Sequence, residues 1–136
     1  MITTLLPLNA LIGRSILGIY FLYFGGIAKL MNYETTAGYM SDHGMGFVPF
    51  FLVVTIIIQL AGGLSLIVGY QTRLSAFLLA GLTLVINVVM HNFWAMEPGT
   101  LQTGHETQNF VKNMGIFGGL LALAGLGAGR WSLDKR

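Results

Sequence analysis

The sequence predicts an all-α membrane protein, a bundle of four transmembrane helices, and three observations lead to this fold class. The 136 residues are 54% hydrophobic and only 9% charged, with a mean hydropathy of +0.73. Soluble domains average about 25% charged residues, and a chain this short cannot hide so many apolar side chains from water. Four apolar stretches each approach the roughly 20 residues that cross a bilayer. A water-soluble domain is therefore excluded.

The predicted spans form one membrane domain over residues 1–136. They cover about residues 5–28, 47–68, 74–94 and 110–126. The first is too long for a signal peptide and contains Arg14, so we expect it to be retained. The short linker 69–73 predicts that the second and third helices are antiparallel. Residues 32–44 have the pattern of a short amphipathic surface helix, which would form either a lid or surface padding.

The distribution of Lys and Arg predicts the orientation in a bacterial inner membrane. Four spans place both termini on one side. That side receives Arg73, Arg130, Lys135 and Arg136, and the opposite side receives Lys29 and Lys112. Because basic residues favour the cytoplasmic side, both termini are expected in the cytoplasm. All three histidines would then lie on the outer side.

The small number of charged residues and the absence of cysteine exclude several classes of binding and catalytic site. The net charge is +2, and the basic residues form no nucleic-acid-binding stripe. Without cysteine, disulfides, thiol catalysis, iron–sulfur clusters and Cys-based zinc sites are excluded. The histidines lack metal-ligand spacing, and only His91 lies near membrane depth, so we expect neither a metal site nor haem.

Polar and small residues at helical spacing predict the faces that three spans turn toward the bundle interior. The stripes are Arg14, Gly18, Phe21 and Gly25 in the first span; Ala80, Thr83, Asn87, His91 and Trp94 in the third; and Lys112, Gly115, Gly119 and Ala122 in the fourth. Small residues let membrane helices approach closely, so these faces are expected to meet.

Arg14 is the most informative residue, because a charge inside a span is costly. It lies nine residues into the first span, about 14 Å deep at ~1.5 Å per residue. A charge there costs at least ~2.5–3.5 kcal/mol. Gln59 is predicted at a similar depth, with Asn87 about 6 Å further out. Arg14 would either bind a ligand with these amides or hydrogen-bond Gln59 and backbone carbonyls to fix the packing.

A second polar cluster is predicted at the outer end of the bundle. It contains Lys29, His91, Trp94, Lys112 and Asn113. These side chains could hydrogen-bond a carbonyl or bind an anion, with aromatic rings against a planar ligand. The alternative is ordinary interfacial anchoring by aromatic residues and lysines. Histidine exchanges a proton near neutral pH, so His91 is the candidate catalytic residue.

Several stretches, taken in order, resemble the DoxX family of small bacterial membrane proteins. They are Arg14 with residues 17–21, then 26–29, 39–44, 59–63, 69–73, 91–94, 110–113, 118–121 and 132–134. The resemblance implies a four-helix inner-membrane protein. The family is named after a subunit associated with an archaeal quinol oxidase, and relatives are linked to thiosulfate:quinone oxidoreduction or to thiol-stress and detoxification complexes. Many relatives carry a glutamate where this chain has Gln59, which cannot titrate.

These observations combine into one functional prediction, a membrane subunit that binds a quinone or another small apolar ring compound. Deep in the membrane, the polar atoms of the ligand would be held by Arg14, Gln59 and Asn87. The outer polar cluster would bind the ligand at the outer end of the bundle. No covalently bound cofactor is expected. If the protein takes part in catalysis, it would be as an oxidoreductase subunit whose partner chain supplies electron transfer. The alternatives are a non-enzymatic scaffold or assembly factor and, third, a small-molecule carrier. The glycine-rich fourth helix would also allow self-association.

Overall fold

The computed structural model describes residues 2–134 as helices joined by short connections. The first span combines α1 (Ile2–Ile19), a π-helical segment (Tyr20–Ile27) and α2 (Ala28–Met31). There follow α3 (Tyr33–Asp42), α4 (Val48–Val68), α5 (Thr72–Met90), a 3-10 turn (Phe93–Ala95) and α6 (Leu101–Leu126). Over these residues there is no strand, and the all-α prediction is confirmed.

Four helices are long and apolar enough to cross a bilayer, as predicted. They are Leu5–Met31, Val48–Val68, Thr72–Ala95 and Leu101–Leu126. The fourth begins at residue 101 rather than 110, because Thr100 caps it by accepting a hydrogen bond from the N–H of Thr103. A prediction based on hydropathy leaves out the polar residues 101–109, although many of them are good helix formers.

Close packing between the first span and α4 depends on glycine. A Cβ atom added to Gly18 would lie 2.6 Å from the backbone oxygen of Gly63. One added to Gly63 would lie 2.6 Å from the backbone nitrogen of Leu22. The two helices therefore approach to backbone contact, as small residues permit in membranes. The predicted stripes of the first span and of α5 are buried as far as Asn87, so these two faces are confirmed.

The face that α6 turns toward the bundle differs from the prediction. The stripe predicted to face inward is exposed at all its positions: Lys112, Gly115, Gly119 and Ala122. Leu120 is buried instead, with Phe117 packed against the same core. The prediction was wrong here because bulky apolar side chains fill the interior, while the small residues of α6 face outward.

The end of the bundle at which α4 leads into α5 is called the α4–α5 end. Residues 127–134 fold back against it. The backbone N–H groups of Leu133 and Asp134 donate to the carbonyls of Val68 and Gly69. The Asp134 carboxylate accepts the N–H of Thr72 at 2.8 Å, at the start of α5. A carboxylate there satisfies an otherwise unpaired amide and complements the helix dipole. The opposite end, covered by α3, is called the α3 end.

Substituting the glycine at the closest helix contact should destabilise the bundle. In Gly63→Ala the new methyl group meets backbone atoms, which cannot move aside easily, so we expect a loss of about 1–3 kcal/mol. Gly118→Ala is the matched control, because a Cβ there meets no atom within 4 Å. Thermal unfolding of both purified variants in detergent checks this, and equal midpoints would contradict the contact.

The orientation stays a prediction, and cysteine labelling tests it. Two of the basic residues on which this prediction depends, Lys135 and Arg136, lie outside the described residues. The chain has no natural cysteine, and Ser41 and Gln71 are exposed at opposite ends. We expect Ser41→Cys to react with an impermeant thiol reagent in intact cells and Gln71→Cys to react only after permeabilisation. The reverse pattern would place the histidines on the cytoplasmic side.

Candidate functional site

Two adjoining cavities occupy the α3 end, and both are lined by Lys29, Ile86 and His91. The larger, of about 230 Å³, is the apolar chamber. Its other walls include Met40, Met45, Phe51, Leu52 and Met90. The smaller, of about 130 Å³, is the polar chamber. Its other walls are Tyr20, Phe21, Phe24, Gly25, Gln59, Thr83 and Asn113.

The π-helical segment builds one wall of the polar chamber. It contributes Tyr20, Phe21, Phe24 and Gly25. A π-helical insertion is rare and frequently marks a functional site. A Cβ atom on Gly25 would lie 2.9 Å from Oε1 of Gln59. The absence of a side chain at Gly25 therefore leaves the space that the Gln59 amide occupies.

Two buried polar atoms in the walls of the polar chamber lack a hydrogen-bond partner. Gln59 is only 5% exposed and Thr83 7%. Neither Oε1 of Gln59 nor Oγ1 of Thr83 is hydrogen-bonded within the part of the chain that the structure describes. Leaving a buried polar group unpaired costs about 1–3 kcal/mol, and native proteins rarely do so. Both residues line the chamber, so a rotation of either side chain would bring its unpaired atom to a ligand or to ordered water.

His91 is held by Glu106, a residue that the sequence analysis did not select. Nδ1 of His91 lies 2.6 Å from Oε2 of Glu106. With Nδ1 donating to the carboxylate, Nε2 is left for other contacts. The Tyr39 hydroxyl donates to Oε1 of Glu106 at 3.4 Å. Burial and the Glu106 carboxylate raise the pKa of Tyr39, so its hydroxyl remains a donor. Glu106 thereby links α3, α5 and α6.

Helix periodicity could have identified Glu106. It lies two turns before Asn113, on the same face of α6, and Asn113 lines the polar chamber. Hydropathy misses this signal because the predicted fourth span begins only at residue 110. Over residues 2–134, no three His, Asp or Glu side chains group together as a set of metal ligands.

Comparisons with known proteins place this chain in a family. Residues 9–92 match the DoxX family. The chain belongs to the DoxX family. It is 33% identical to the Escherichia coli inner membrane protein YqjF, over 93% of this chain and 90% of that protein. It is 31% identical to the E. coli inner membrane protein YphA, over 96% of this chain and 91% of that protein.

More distantly, this DoxX-family chain is 26% identical to the ER-derived vesicles protein ERV29 of Saccharomyces cerevisiae, over 60% of this chain and 26% of that protein. No solved structure matches it. Together with the four membrane-spanning helices, the bacterial relatives identify a multi-pass protein of the inner membrane.

Arg14 of this DoxX-family protein lies at the α4–α5 end, away from both chambers. The residue is buried, with 2% of its surface exposed. The hydrogen-bond acceptors are the carbonyl oxygens of Leu66 at 3.0 Å, Ile67 at 2.6 Å, Ala128 at 3.2 Å and Trp131. Helix α4 leaves its last carbonyls unpaired, and a cation complements them. Among the described residues no hydrogen bond joins Arg14 to Gln59, so this placement favours the packing role.

Three other residues predicted to bind ligand also lie outside the chambers. Asn87 is fully buried and donates from Nδ2 to the carbonyl of Phe110 at 3.0 Å, which fastens α6 to α5. Trp94 is 55% exposed and packs against the ring of Phe110. Lys112 is exposed on α6. The predicted residues that the structure brings together are Lys29, Gln59, His91 and Asn113.

Replacing Arg14 should loosen the α4–α5 end. Arg14→Lys keeps the charge but cannot reach all four carbonyls, and each lost charged hydrogen bond is worth about 1.5–3 kcal/mol. We expect a lower unfolding midpoint and faster tryptic cleavage at Arg130. Arg73→Lys is a weaker perturbation, because its exposed guanidinium bonds only the last carbonyls of α6. If Arg14→Lys were as stable as the wild type, the packing role would be wrong.

Proposed function

We propose that this DoxX-family protein binds a small apolar ring compound with polar oxygen atoms, such as a quinone, at the α3 end. It would act as a membrane subunit of a redox or detoxification complex. The observation that carries this proposal is the pair of unpartnered buried atoms, Gln59 Oε1 and Thr83 Oγ1, beside an apolar chamber.

The dimensions of the apolar chamber suit one substituted ring. A protein cavity of about 150 Å³ lined by apolar side chains can hold a benzene molecule. The apolar chamber is larger, about 230 Å³, and its walls include Met40, Met45 and Met90. Methionine side chains are flexible and polarisable, so they adapt to ring compounds of different shape.

The polar chamber offers groups that match both redox forms of a quinone. The Gln59 oxygen can only accept, so it fits the hydroxyl group of a quinol. The Lys29 ammonium and the Asn113 amide carry donors, which fit a quinone carbonyl. A site that accepts either form is what a subunit exchanging quinone with quinol requires.

His91 is positioned to handle the proton of such a ligand. Glu106 fixes the imidazole through Nδ1. Nε2 of His91 is then available to take a proton from a ligand hydroxyl, as a general base. When bound, the quinone supplies the capacity to carry electrons. The chain contains no cysteine to relay them, so the proposal includes a partner subunit with a redox centre.

A scaffold role is the second candidate, and the exposure of α6 favours it. Only 6% of an apolar 18-residue stretch of this helix is buried inside the bundle. A Cβ atom added to Gly115, Gly118 or Gly119 would meet no atom within 4 Å. Such a face could receive a helix of another membrane protein. The chambers would then hold water or lipid.

Thr83→Val tests the proposal, because it removes the unpartnered hydroxyl and nearly preserves the shape. We expect weaker binding of 1,4-naphthoquinone, by roughly tenfold for a loss of ~1.4 kcal/mol. Because an unsatisfied buried group is removed, we also expect a higher unfolding midpoint without ligand. Fluorescence titration and thermal unfolding of the detergent-purified protein measure the two effects. Lys112→Met is the control and should change neither.

A lipid extract of the purified protein, analysed by mass spectrometry, separates the two candidate functions. Co-purified ring compound that is depleted in Thr83→Val and Gln59→Leu supports the binding site. Extracts without ring compound, combined with a stable membrane partner, would favour the scaffold. Unchanged affinity in both folded variants would contradict the assignment of Gln59 and Thr83.

A further inference from the structure

We infer that the ligand of the α3 end is an acidic ring compound bound as an anion, such as a hydroxyquinone or an aromatic carboxylic acid, and that Lys29 selects its charge. This inference rests on the proposed binding function and adds the chemical class of the ligand. It starts from the position of Lys29, which lines both chambers at the point where they adjoin.

Lys29 has no partner within the protein as far as the structure describes it. Its ammonium group takes part in no hydrogen bond there. The ion pair present in this part of the chain joins His91 to Glu106. Lys29 is half-buried near the end of the first span, beside the apolar walls of the larger chamber. A cation in such surroundings is costly unless an opposite charge or hydrogen-bond acceptors accompany it.

The carboxylates at the α3 end are not available to neutralise Lys29. Both oxygens of Glu106 are engaged, one by His91 and the other by Tyr39. Three other acidic side chains at this end are exposed: Glu34, Asp42 and Glu97. None of these four carboxylates forms an ion pair with Lys29. An anion from outside the chain would supply the missing negative charge.

The two chambers determine what kind of anion fits. An inorganic ion bound to Lys29 would not fill the apolar chamber of about 230 Å³. A planar acid can place its ring against Leu52 and Met90 and its anionic oxygen on Lys29. A second oxygen of the same ring would reach the polar chamber, where the unpartnered Thr83 hydroxyl can donate to it. A ring compound with both an acidic group and a further oxygen satisfies all three features.

A pair of probes that differ by one acidic hydroxyl group tests this inference. 1,4-Naphthoquinone is neutral, whereas 2-hydroxy-1,4-naphthoquinone is an anion at neutral pH. Both are titrated into the full-length protein in phosphatidylcholine nanodiscs. We expect the wild type to bind the hydroxy compound about tenfold more tightly, a difference of ~1.4 kcal/mol. Lys29→Met should remove this preference by weakening the binding of the hydroxy compound much more than that of 1,4-naphthoquinone, while Lys29→Arg should keep the preference.

Lys112→Met is the matched control, since Lys112 is exposed on α6 and lines neither chamber. It should retain the full preference for the anion. Lys29→Arg also guards against a folding defect in Lys29→Met, because it preserves the charge. If the ratio of the affinities for the two probes is the same in the wild type and in Lys29→Met, the charge inference is overturned and the binding function stands. If the wild type binds neither probe, both are overturned.

An anionic lipid could supply the same charge, so a second arm separates the two sources. The titrations are repeated in nanodiscs that contain phosphatidylglycerol. We expect the preference for the hydroxy compound to persist, because a ring in the apolar chamber is not replaced by a headgroup at its edge. The outcome that overturns the inference is a wild type that loses the preference in these nanodiscs, while Lys112→Met keeps it in phosphatidylcholine. Lys29 would then be assigned to a lipid headgroup.

Discussion

The buried guanidinium of Arg14 is the interaction on which the rest of the bundle depends. Its acceptors are backbone carbonyls at the end of α4 and in the segment 127–134. The position of Gly69 shows how tightly this end is built, because a Cβ there would lie 2.3 Å from Cβ of Ser132. With Asp134 at the start of α5, positive and negative charges are matched to opposite helix ends. The α4–α5 end is therefore closed by its own chain.

The α3 end differs in that its unpartnered polar groups line the two chambers. At the α4–α5 end the buried Thr72 hydroxyl also lacks a partner among the described residues, but it lines neither chamber. Gln59 and Thr83 retain unpartnered atoms, and Lys29 lacks a counter-ion among the described residues. Each unmatched group lowers stability, and proteins tend to retain such groups where function requires them. Glu106 is the exception, because it is satisfied by His91 and Tyr39. It fixes the orientation of the imidazole beside groups that remain free to bind.

Sequence patterns predicted the membrane fold, the DoxX family and the buried faces of the first span and α5. They were sufficient there because polar and small residues recur at helical spacing along one face of each of these helices. The face of α6 was predicted wrongly, since glycine and alanine at Gly115 and Ala122 fit either a helix contact or exposure to lipid. The role of Arg14 could not be read from side chains, because its partners are backbone carbonyls distant in the chain.

The proposed site at the α3 end would hold a ring compound between the apolar and polar chambers. Photolabelling of the wild-type protein with an azido-naphthoquinone, followed by peptide mass spectrometry, tests this placement. We expect the labels to concentrate on wall residues such as Met40 and Met90 and to be suppressed by an excess of unlabelled naphthoquinone. Labels confined to the outward face of α6, with no competition, would contradict it.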